Sequence, residues 1–415
     1  MKRLRDYQAA AVEQMLAMPG NILLADEPGL GKTPTAIEYA NRLRPDDLVI
    51  VCPASLRLNW RAELERWLTC QPENIDILSY EGMTKRPLNP VPERGRLVIF
   101  DEAHYLKNPQ AKRTKAALKL KRDKILFLTG TPVVNRPIDL YPILSLCGIK
   151  ISRTEFGQRF CDGKLVQIGW RPRKYVWDFS GASNVEELNA ALRTHCMIRR
   201  TKAEVLDELP AKIRQVIEID VDGRESPELR DTLTRVYNSF TRAADGIGEE
   251  KVDFAELSAA RRELGELKLP YIVSCLKDTV LEEVDKIVVF AHHKEIIDSL
   301  DSRLKDFTPV KLYGGMSDSE KNRAVRRFQT DPAVRVFIGQ ITAAGTGLTL
   351  TAASTVIFAE LDWVPGNVTQ AEDRCHRMGQ TDVVRILHIV LKNSVDGRMV
   401  RALVDKQNIG ERITK

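Results

Sequence analysis

The sequence predicts an α/β protein with two parallel-sheet lobes and helical insertions between them. Short apolar runs alternate with helix-forming runs in the first third of the chain, and a second alternating stretch begins at Lys286. Acidic and hydroxyl-bearing residues follow directly after several of the apolar runs. Because open parallel sheets bind ligands at the carboxyl ends of their strands, this placement predicts a ligand site at that edge of the first sheet.

Composition limits the function classes that need to be considered. The chain has 415 residues, of which 43% are hydrophobic and 29% charged, and its formal net charge is +6. This length suits two to three domains, and there is neither an apolar run of about 18 residues nor an apolar N-terminal signal segment. We therefore expect no membrane partner and a cytoplasmic, nucleoid-associated protein, or a nuclear one if the source is eukaryotic. The mild positive charge permits binding to nucleic acid without demanding it.

The cysteines predict no disulfide framework. Seven of them are scattered along the chain without a C-x-x-C pair. The odd count and the spacing favour reduced, mostly buried thiols.

A glycine-rich stretch, Ala25-Asp26-Glu27-Pro28-Gly29-Leu30-Gly31-Lys32-Thr33, lies between an apolar run and a helix-forming run. Backbone N–H groups of such a loop, at a helix N-terminus, can bind phosphate oxygens. Lys32 can reach the outer phosphates, and the Thr33 hydroxyl can join a Mg²⁺ shell. The common phosphate-loop pattern has glycine where this chain has Asp26, so a simple glycine turn with a solvated lysine is the alternative.

An acidic pair, Asp101-Glu102, follows the apolar run Leu97-Val98-Ile99-Phe100. A carboxylate at the end of a buried strand can hold Mg²⁺, usually through water, and its neighbour can orient an attacking water. Thr129 follows another apolar run in the same way. The alternative for the pair is a strand-to-loop turn with two solvated acids.

The opening segment Leu4 to Ala17 has the apolar spacing of an amphipathic helix. The amide of Gln8 can both donate and accept hydrogen bonds, which suits an adenine reader. A solvated helix residue is the alternative.

The chain is expected to divide into a first lobe (1–212), a helical protrusion or linker (213–285) and a second lobe with a C-terminal helix (286–415). An insertion at about 142–209 contains Gly169-Trp170-Arg171-Pro172-Arg173-Lys174-Tyr175-Val176-Trp177. This mixture of aromatic and basic residues suits a hairpin that contacts a phosphate backbone. Aromatic residues that anchor the insertion on the core are the alternative.

The second lobe has no Gly-Lys-Thr loop, but it contains two arginines at helical spacing. Arg374 and Arg377 are three residues apart and are expected to share a helix face. A guanidinium brought to a γ-phosphate would act as an arginine finger. A solvated helix face is the alternative.

Taken together, the order of these segments resembles that of the Swi/Snf-type DNA translocases, a branch of the superfamily-two helicases. The resemblance covers nearly the whole chain and includes, in order, Leu4 to Gln8 (Q motif), Asp26 to Thr33 (motif I), Cys52 to Trp60 (motif Ia), Asp101 to His104 (motif II), Thr129 to Pro132 (motif III), Ile198 to Lys202 with Leu209 to Lys212, Gly345 to Ala353 (motif V) and Gln370 to Gln380 (motif VI).

The resemblance implies two RecA-like lobes that bind ATP and Mg²⁺ and close on DNA. The nucleotide contacts that it implies are Arg5, Gln8, Asp26, Gly29, Gly31, Lys32, Thr33, Gly347 and Gln370. The catalytic residues are Lys32, Asp101, Glu102, Arg374 and Arg377, and Thr33 and Asp101 are the metal ligands. The DNA contacts are Ser55, Asn59, Lys294 and Thr342.

Three further segments resemble the annealing-helicase subfamily: Asn135 to Pro137, Val289 to Lys294 and Phe358 to Gly366. Members of that subfamily use additional substrate-recognition domains, for which this chain leaves no room, so we expect a minimal, monomeric motor core of bacterial, archaeal or phage type. The expected partner is double-stranded or branched DNA. His292 is either a DNA contact or a structural residue, and Trp363 either packs in the cleft or stacks on a base.

The expected function is therefore a DNA-stimulated ATPase that translocates on double-stranded DNA, including strand annealing or fork remodelling. A strand-separating helicase or the motor subunit of a restriction system is one alternative. An ATP-gated DNA-binding scaffold without motor activity is the other.

Overall fold

The computed structural model describes residues 3–85, 92–93, 95–120, 124–133, 136–170, 173–206, 208–219, 227, 231, 234, 254–344, 348–362 and 364–391. Within this part of the chain, packing separates two units. The first comprises residues 3–163 and 179–206, and the second comprises residues 164–178 and 208–391.

The first unit is built on a six-stranded sheet in the order β3-β2-β4-β5-β1-β8. Every neighbouring pair of strands is parallel. The strands are β1 (Ile22–Leu24), β2 (Asp47–Cys52), β3 (Asn74–Ser79), β4 (Arg96–Asp101), β5 (Lys124–Leu128) and β8 (Met197–Ile198).

Helices cover both faces of this sheet, which is why its strands are continuous apolar runs. In β4, Leu97 and Ile99 belong to one core, and Val98 and Phe100 belong to the core on the opposite face. The helices are α1 (Asp6–Ala17), α2 (Lys32–Leu43), α3 (Arg57–Trp67), α4 (Tyr80–Lys85), α5 (Lys112–Ala117), α6 (Tyr141–Leu146), α7 (Arg153–Phe160), α8 (Val185–His195) and α9 (Lys202–Val205).

A two-stranded antiparallel ribbon interrupts the first unit in the chain. Its strands are β6 (Lys164–Trp170) and β7 (Arg173–Asp178), with a register shift between Gln167 and Gly169 that marks a β-bulge. The ribbon is the hairpin that the aromatic and basic residues predict.

The second unit is built on another six-stranded sheet, in the order β11-β12-β10-β13-β14-β9, again with parallel neighbours throughout. Its strands are β9 (Lys212–Ile219), β10 (Ile287–Ala291), β11 (Val310–Leu312), β12 (Val336–Gln340), β13 (Thr355–Phe358) and β14 (Val384–Leu391). Its helices are α10 (Phe254–Cys275), α11 (Leu281–Glu283), α12 (Lys294–Arg303), α13 (Asp318–Thr330), α14 (Ile341–Ala344) and α15 (Pro365–Glu372).

The predicted fold class is confirmed: there are two parallel sheets with helices. The segment 213–285 was expected to be a helical protrusion. Its first residues instead belong to β9, which pairs with β14 along its whole length, and helix α10 packs on the second sheet. Strand β9 is at the edge of the sheet, and apolar residues such as Ile213 and Val216 are exposed on it, so its burial differs from that of a central strand. The expected C-terminal helix lies outside the described residues.

All seven cysteines are free thiols, as their spacing predicts, and four of them are buried. Among the helices in the ranges given above, none is both long enough and apolar enough to cross a membrane.

Candidate functional site

The loop between β1 and α2 is shaped by two glycines with positive φ. Gly29 has φ 92° and Gly31 has φ 77°, a left-handed backbone that glycine adopts at little cost. A Cβ on Gly31 would lie 2.3 Å from Nε2 of Gln8, so a side chain there would have to displace that amide. Gly31 is the N-cap of α2, and the N–H groups of the first helical turn therefore lie beside the loop. This arrangement suits an anion.

Lys32 opens α2 and turns back onto the loop. Its Nζ donates to the carbonyl oxygens of Asp26 (2.7 Å) and Glu27 (3.3 Å). Burial lowers the pKa of Lys32, while the carboxylates of Glu102, Asp26 and Asp101 act in the opposite direction. The ammonium group is thus held among acidic side chains at the carboxyl edge of the first sheet.

Gln8 ties α1 to this loop. Its Oε1 accepts from the backbone N–H of Arg5 (2.9 Å), and its Nε2 donates to the carbonyl of Leu30 (3.0 Å). The Tyr7 hydroxyl donates to the same carbonyl at 3.0 Å. The amide expected to read adenine is engaged by the protein on both of its ends, so Gln8 supports the loop in this conformation.

Asp26 is buried and binds the segment that follows β8. Its carboxylate forms an ion pair with Arg200 and accepts from the Arg200 backbone N–H at 3.0 Å. Arg199 donates to the carbonyl of Ala25, and the backbone N–H of Lys202 donates to Glu27. Asp26 therefore holds the loop in place through Arg200, a partner 174 residues away in the sequence. The sequence offered only the basic cluster 199–202 as a signal for this support.

The acidic pair ends β4. Oδ2 of Asp101 accepts from Nε1 of Trp60 (2.8 Å), and Oδ1 accepts from the backbone N–H of Glu102 (3.0 Å). Glu102 has φ 53°, a left-handed conformation that is strained for a residue with a Cβ. Burial, reinforced by the neighbouring charge of Glu102, raises the pKa of Asp101 to about 6. The contact from Trp60 was not predicted, since the two residues are 41 positions apart.

His104 connects the acidic pair to the end of β5. Its Nδ1 lies 3.4 Å from Oε2 of Glu102 and 3.3 Å from Oγ1 of Thr129. Burial lowers the pKa of His104 to about 3, so the ring is neutral at pH 7. A neutral imidazole thus lies beside Glu102 without cancelling the charge of its carboxylate.

In the second lobe, Arg374 and Arg377 meet at one backbone carbonyl. Nη1 of Arg377 donates to the carbonyl of Leu348 (2.8 Å) and to Oγ1 of Thr349 (2.9 Å). Nη1 of Arg374 lies 3.5 Å from the same carbonyl, and Arg374 is buried. The two arginines do not share a helix face, because α15 ends at Glu372 and both lie in the turns that follow.

The turn that carries these arginines is anchored by an ionic cluster. Glu372 is fully buried and binds Nζ of Lys212 (3.0 Å) and Nη2 of Arg214 (2.6 Å), while Asp373 binds Lys212 at 3.1 Å. Burial alone would raise the pKa of Glu372, but the two cations outweigh it and hold that pKa below its usual value. His376 also lies 2.8 Å from the carbonyl of Pro210 through Nε2. Strand β9 therefore fixes the position of the arginine turn.

The remaining predicted site residues fall into three groups. Thr33 lies in the first turn of α2, half-buried, and Gln370 is buried on α15. Ser55, Asn59, Lys294 and Thr342 are all exposed, and Nζ of Lys294 lies 4.6 Å from the centre of the Tyr313 ring. Gly347 and Trp363 lie outside the described residues.

His292 is half-buried beside Glu360 and Asp362. Its backbone N–H donates to Oε2 of Glu360 (2.8 Å), and its ring lies 3.9 Å from Asp362. Burial lowers the pKa of His292, which favours the neutral ring. Across the described residues, no group of three or more His, Cys, Asp or Glu side chains is placed to hold a metal ion.

Comparison with known families gives two matches. The SNF2-related domain matches residues 7–92 and 71–227, and the helicase conserved C-terminal domain matches residues 269–379. Together these matches include the glycine-rich loop at 26–33, the acidic pair and the turn that carries Arg374 and Arg377.

Individual relatives align over almost the whole chain. The SWI/SNF-related matrix-associated actin-dependent regulator of chromatin subfamily A-like protein 1 of Xenopus tropicalis is 33% identical over 416 residues, 95% of this chain and 43% of that protein. The DNA annealing helicase and endonuclease ZRANB3 of Homo sapiens is 34% identical over 426 residues, 96% of this chain and 39% of that protein. The chain thus spans less than half the length of both curated relatives.

A solved structure of the Sulfolobus solfataricus SWI2/SNF2 ATPase core in complex with dsDNA aligns with 99% of this chain and 93% of its own, at 24% identity and a TM-score of 0.44. The match to the SNF2-related domain extends over more than half of the sequence. The chain therefore belongs to the SNF2-related family and also carries a helicase conserved C-terminal domain.

Proposed function

We propose that this protein is a DNA-stimulated ATPase that translocates on double-stranded DNA. The observation that carries the proposal is the arrangement at the carboxyl edge of the first sheet, where Lys32 lies among Asp26, Asp101 and Glu102 beside a glycine-shaped helix N-terminus. Lysine at an anion site next to two carboxylates is the pairing that phosphoryl transfer from a metal-bound nucleotide requires.

The first lobe fits ATP and Mg²⁺ by the chemistry of its donors. The loop is shaped for close backbone approach at Gly31, where a Cβ would collide with Gln8. The Thr33 hydroxyl and the Asp101 carboxylate are hard oxygen donors, and one or two protein ligands suffice for Mg²⁺, which keeps several waters. When bound, the metal would neutralise charge on the outer phosphates. Arg5, Gly29 and Gln370 complete the proposed nucleotide contacts, together with Gly347 from the part of the chain that is not described.

Lys32 and Glu102 have the two central roles in the proposed hydrolysis. Lys32 exchanges the carbonyls of Asp26 and Glu27 for phosphate oxygens, which is favourable because a phosphate carries full negative charge. Glu102 accepts a hydrogen bond from the attacking water and orients it. His104 lies beside Glu102 and remains neutral, so the carboxylate keeps its charge.

Arg377 is the better candidate for the guanidinium that stabilises the transition state. It is partly exposed, whereas Arg374 is buried, and its partners include a carbonyl and a hydroxyl that it can release. Arg374 would support the turn and so help to position Arg377. If Arg377 released the carbonyl oxygen of Leu348 and bound a phosphate oxygen instead, hydrolysis would be linked to the segment that contains Thr349.

The proposed DNA contacts are Ser55, Asn59, Lys294 and Thr342, whose exposure leaves them accessible to a phosphate backbone. Such contacts position a protein on a duplex without reading bases, so binding should weaken steeply as salt rises. Strand annealing or fork remodelling is the finer proposal, and it is supported by the relative named a DNA annealing helicase. The protein would then act in the DNA-containing compartment of its cell.

The experiment measures ATP hydrolysis with no nucleic acid and with single-stranded DNA, duplex DNA, forked DNA and RNA. We expect stimulation by duplex or forked DNA and little by RNA, and we expect Lys32→Ala to abolish hydrolysis but retain duplex binding. Stimulation by single strands alone would favour a strand-separating helicase. ATPase activity that DNA never stimulates would contradict the proposal, as would a Lys32→Ala variant with near-normal turnover.

A further inference from the structure

The ribbon formed by β6 and β7 exposes one apolar and aromatic face. In its antiparallel register, Leu165 lies opposite Trp177, and Gln167 lies opposite Tyr175. Side chains two residues apart on a strand point the same way, so these four residues share a face. Leu165, Tyr175 and Trp177, here called the ribbon face, are 56%, 48% and 38% exposed. Aromatic residues that anchored an insertion on the core would be covered instead.

The ribbon is also basic in sequence. Residues 164–178 contain four basic residues and one acidic residue, and three of the basic ones, Arg171, Arg173 and Lys174, lie within four consecutive positions of the sequence. This composition complements a phosphodiester backbone. Basic residues interleaved with aromatic ones are typical of surfaces that bind single-stranded nucleic acid, where bases stack on the rings.

We infer that the ribbon face binds an unpaired DNA strand, with bases stacked on Tyr175 and Trp177. Bases within a duplex already stack on one another and cannot present a free face to these rings, so exposed aromatic residues favour a single strand. Three side chains also form a surface far smaller than the roughly 800 Å² per partner of a stable protein interface. An unpaired strand needs only a few rings and nearby positive charge.

This inference goes beyond the proposed function, because binding of a single strand by the ribbon requires neither ATP nor translocation. A protein that tracks on duplex DNA and also binds an unpaired strand would be retained where the two meet. The ribbon would therefore favour branched DNA over a plain duplex.

The test uses the full chain and a fluorescein-labelled oligothymidylate of about 20 nucleotides, with binding followed by anisotropy in the absence of ATP. The double variant Tyr175→Leu, Trp177→Leu keeps apolar, strand-compatible side chains but removes the rings. We expect its affinity for the oligonucleotide to fall at least about tenfold, because base stacking on an aromatic ring contributes strongly for each base. Its affinity for blunt duplex DNA should be unchanged.

Two controls separate stacking from other causes. The double variant Tyr175→Phe, Trp177→Phe retains the rings and should bind the oligonucleotide within about threefold of the wild type. Lys32→Ala should bind it like the wild type, which separates this inference from the ATP site. Melting temperature and basal ATPase activity verify that the leucine variant is folded.

Photocrosslinking of the wild-type protein to the same oligonucleotide provides evidence that needs no variant. We expect an adduct on the tryptic peptide that begins at Tyr175. Wild-type affinity in the leucine variant, equal losses in both double variants, or adducts confined to other peptides would each overturn the inference.

Discussion

Each lobe contains a pair of adjacent acidic residues, half-buried in the first lobe and buried in the second, and their surroundings shift the carboxyl pKa values in opposite directions. Asp101 and Glu102 lie next to one another with hydrogen bonds from Trp60 and a backbone N–H, and the pKa of Asp101 is raised to about 6 by burial and by the charge of Glu102. Glu372 and Asp373 bind the cations of Lys212 and Arg214, which hold the pKa of Glu372 below its usual value.

The difference indicates what each pair is for. A buried carboxylate bound by cations contributes to structure, since its charge is already neutralised. A half-buried carboxylate whose charge is opposed by its surroundings costs stability and is available for an incoming cation. The first pair thus suits Mg²⁺ and water, and the second fixes the turn that carries Arg374 and Arg377.

The largest expected effect is on turnover when the first pair is altered. Glu102→Gln keeps the shape of the side chain but removes the charge that orients water, and we expect ATP hydrolysis to fall at least about 1,000-fold. Duplex binding should persist. Steady-state hydrolysis measures this, with Glu65→Gln on the exposed surface of α3 as the matched control. A decrease below about tenfold would mean that Glu102 does not orient the water.

The next effect concerns the stability of the second pair. Glu372→Gln leaves Lys212 and Arg214 with too little negative charge, and we expect a loss of about 3 kcal/mol in the free energy of unfolding. Urea denaturation measures it. The control is Glu283→Gln, which breaks an exposed ion pair with Arg385 and should cost less than about 1 kcal/mol. Equal losses in both variants would remove the distinction between the lobes.

A smaller effect should follow from Trp60→Phe. The substitution removes the hydrogen bond to Oδ2 of Asp101, which favours the charged carboxylate, so the pKa of Asp101 should rise further. We expect the acidic limb of the ATPase pH profile to move upward by about one pH unit, with activity recovered at pH 8.5. If the acidic limb does not shift and activity is lower by the same factor at every pH, the substitution has instead caused a packing defect.

The smallest effect concerns the pH dependence of stability. Because the pKa of Asp101 is raised from 3.8 to about 6, the folded protein retains a proton that the unfolded chain releases. The resulting stabilisation is fully present below about pH 3.8 and is lost as the pH rises through about 6. Asp101→Asn should therefore flatten the dependence of melting temperature on pH between about 3.8 and 6. A slope identical to that of the wild type would contradict this assignment.

Features that depend on local sequence were predictable. Neighbouring residues were enough to predict the glycine-rich loop, β4 with its acidic pair and the hairpin. Turns, apolar runs and glycine positions determine local structure over short distances in the sequence. Partnerships such as Trp60 with Asp101 or Lys212 with Glu372 were not predictable, since only tertiary packing brings the partners together. The short strands β8 and β11, with two and three residues, are too brief to produce a pattern.

The end of α15 could not be predicted from the sequence either. Spacing alone places Arg374 and Arg377 on one helix face, but the helix ends at Glu372, and the chain turns toward Leu348 instead. The helical spacing was thus a coincidence, although both arginines still reach one carbonyl.

The most direct test of this account is the free energy of unfolding of Glu102→Gln, measured by urea denaturation beside the wild type. Neutralising Glu102 removes its repulsion with Asp101 but also its attraction to Lys32, so we expect the two effects largely to cancel and the variant to lose far less stability than Glu372→Gln while hydrolysing almost no ATP. A loss of stability as large as that of Glu372→Gln would show that the first pair is a structural element and would contradict the account.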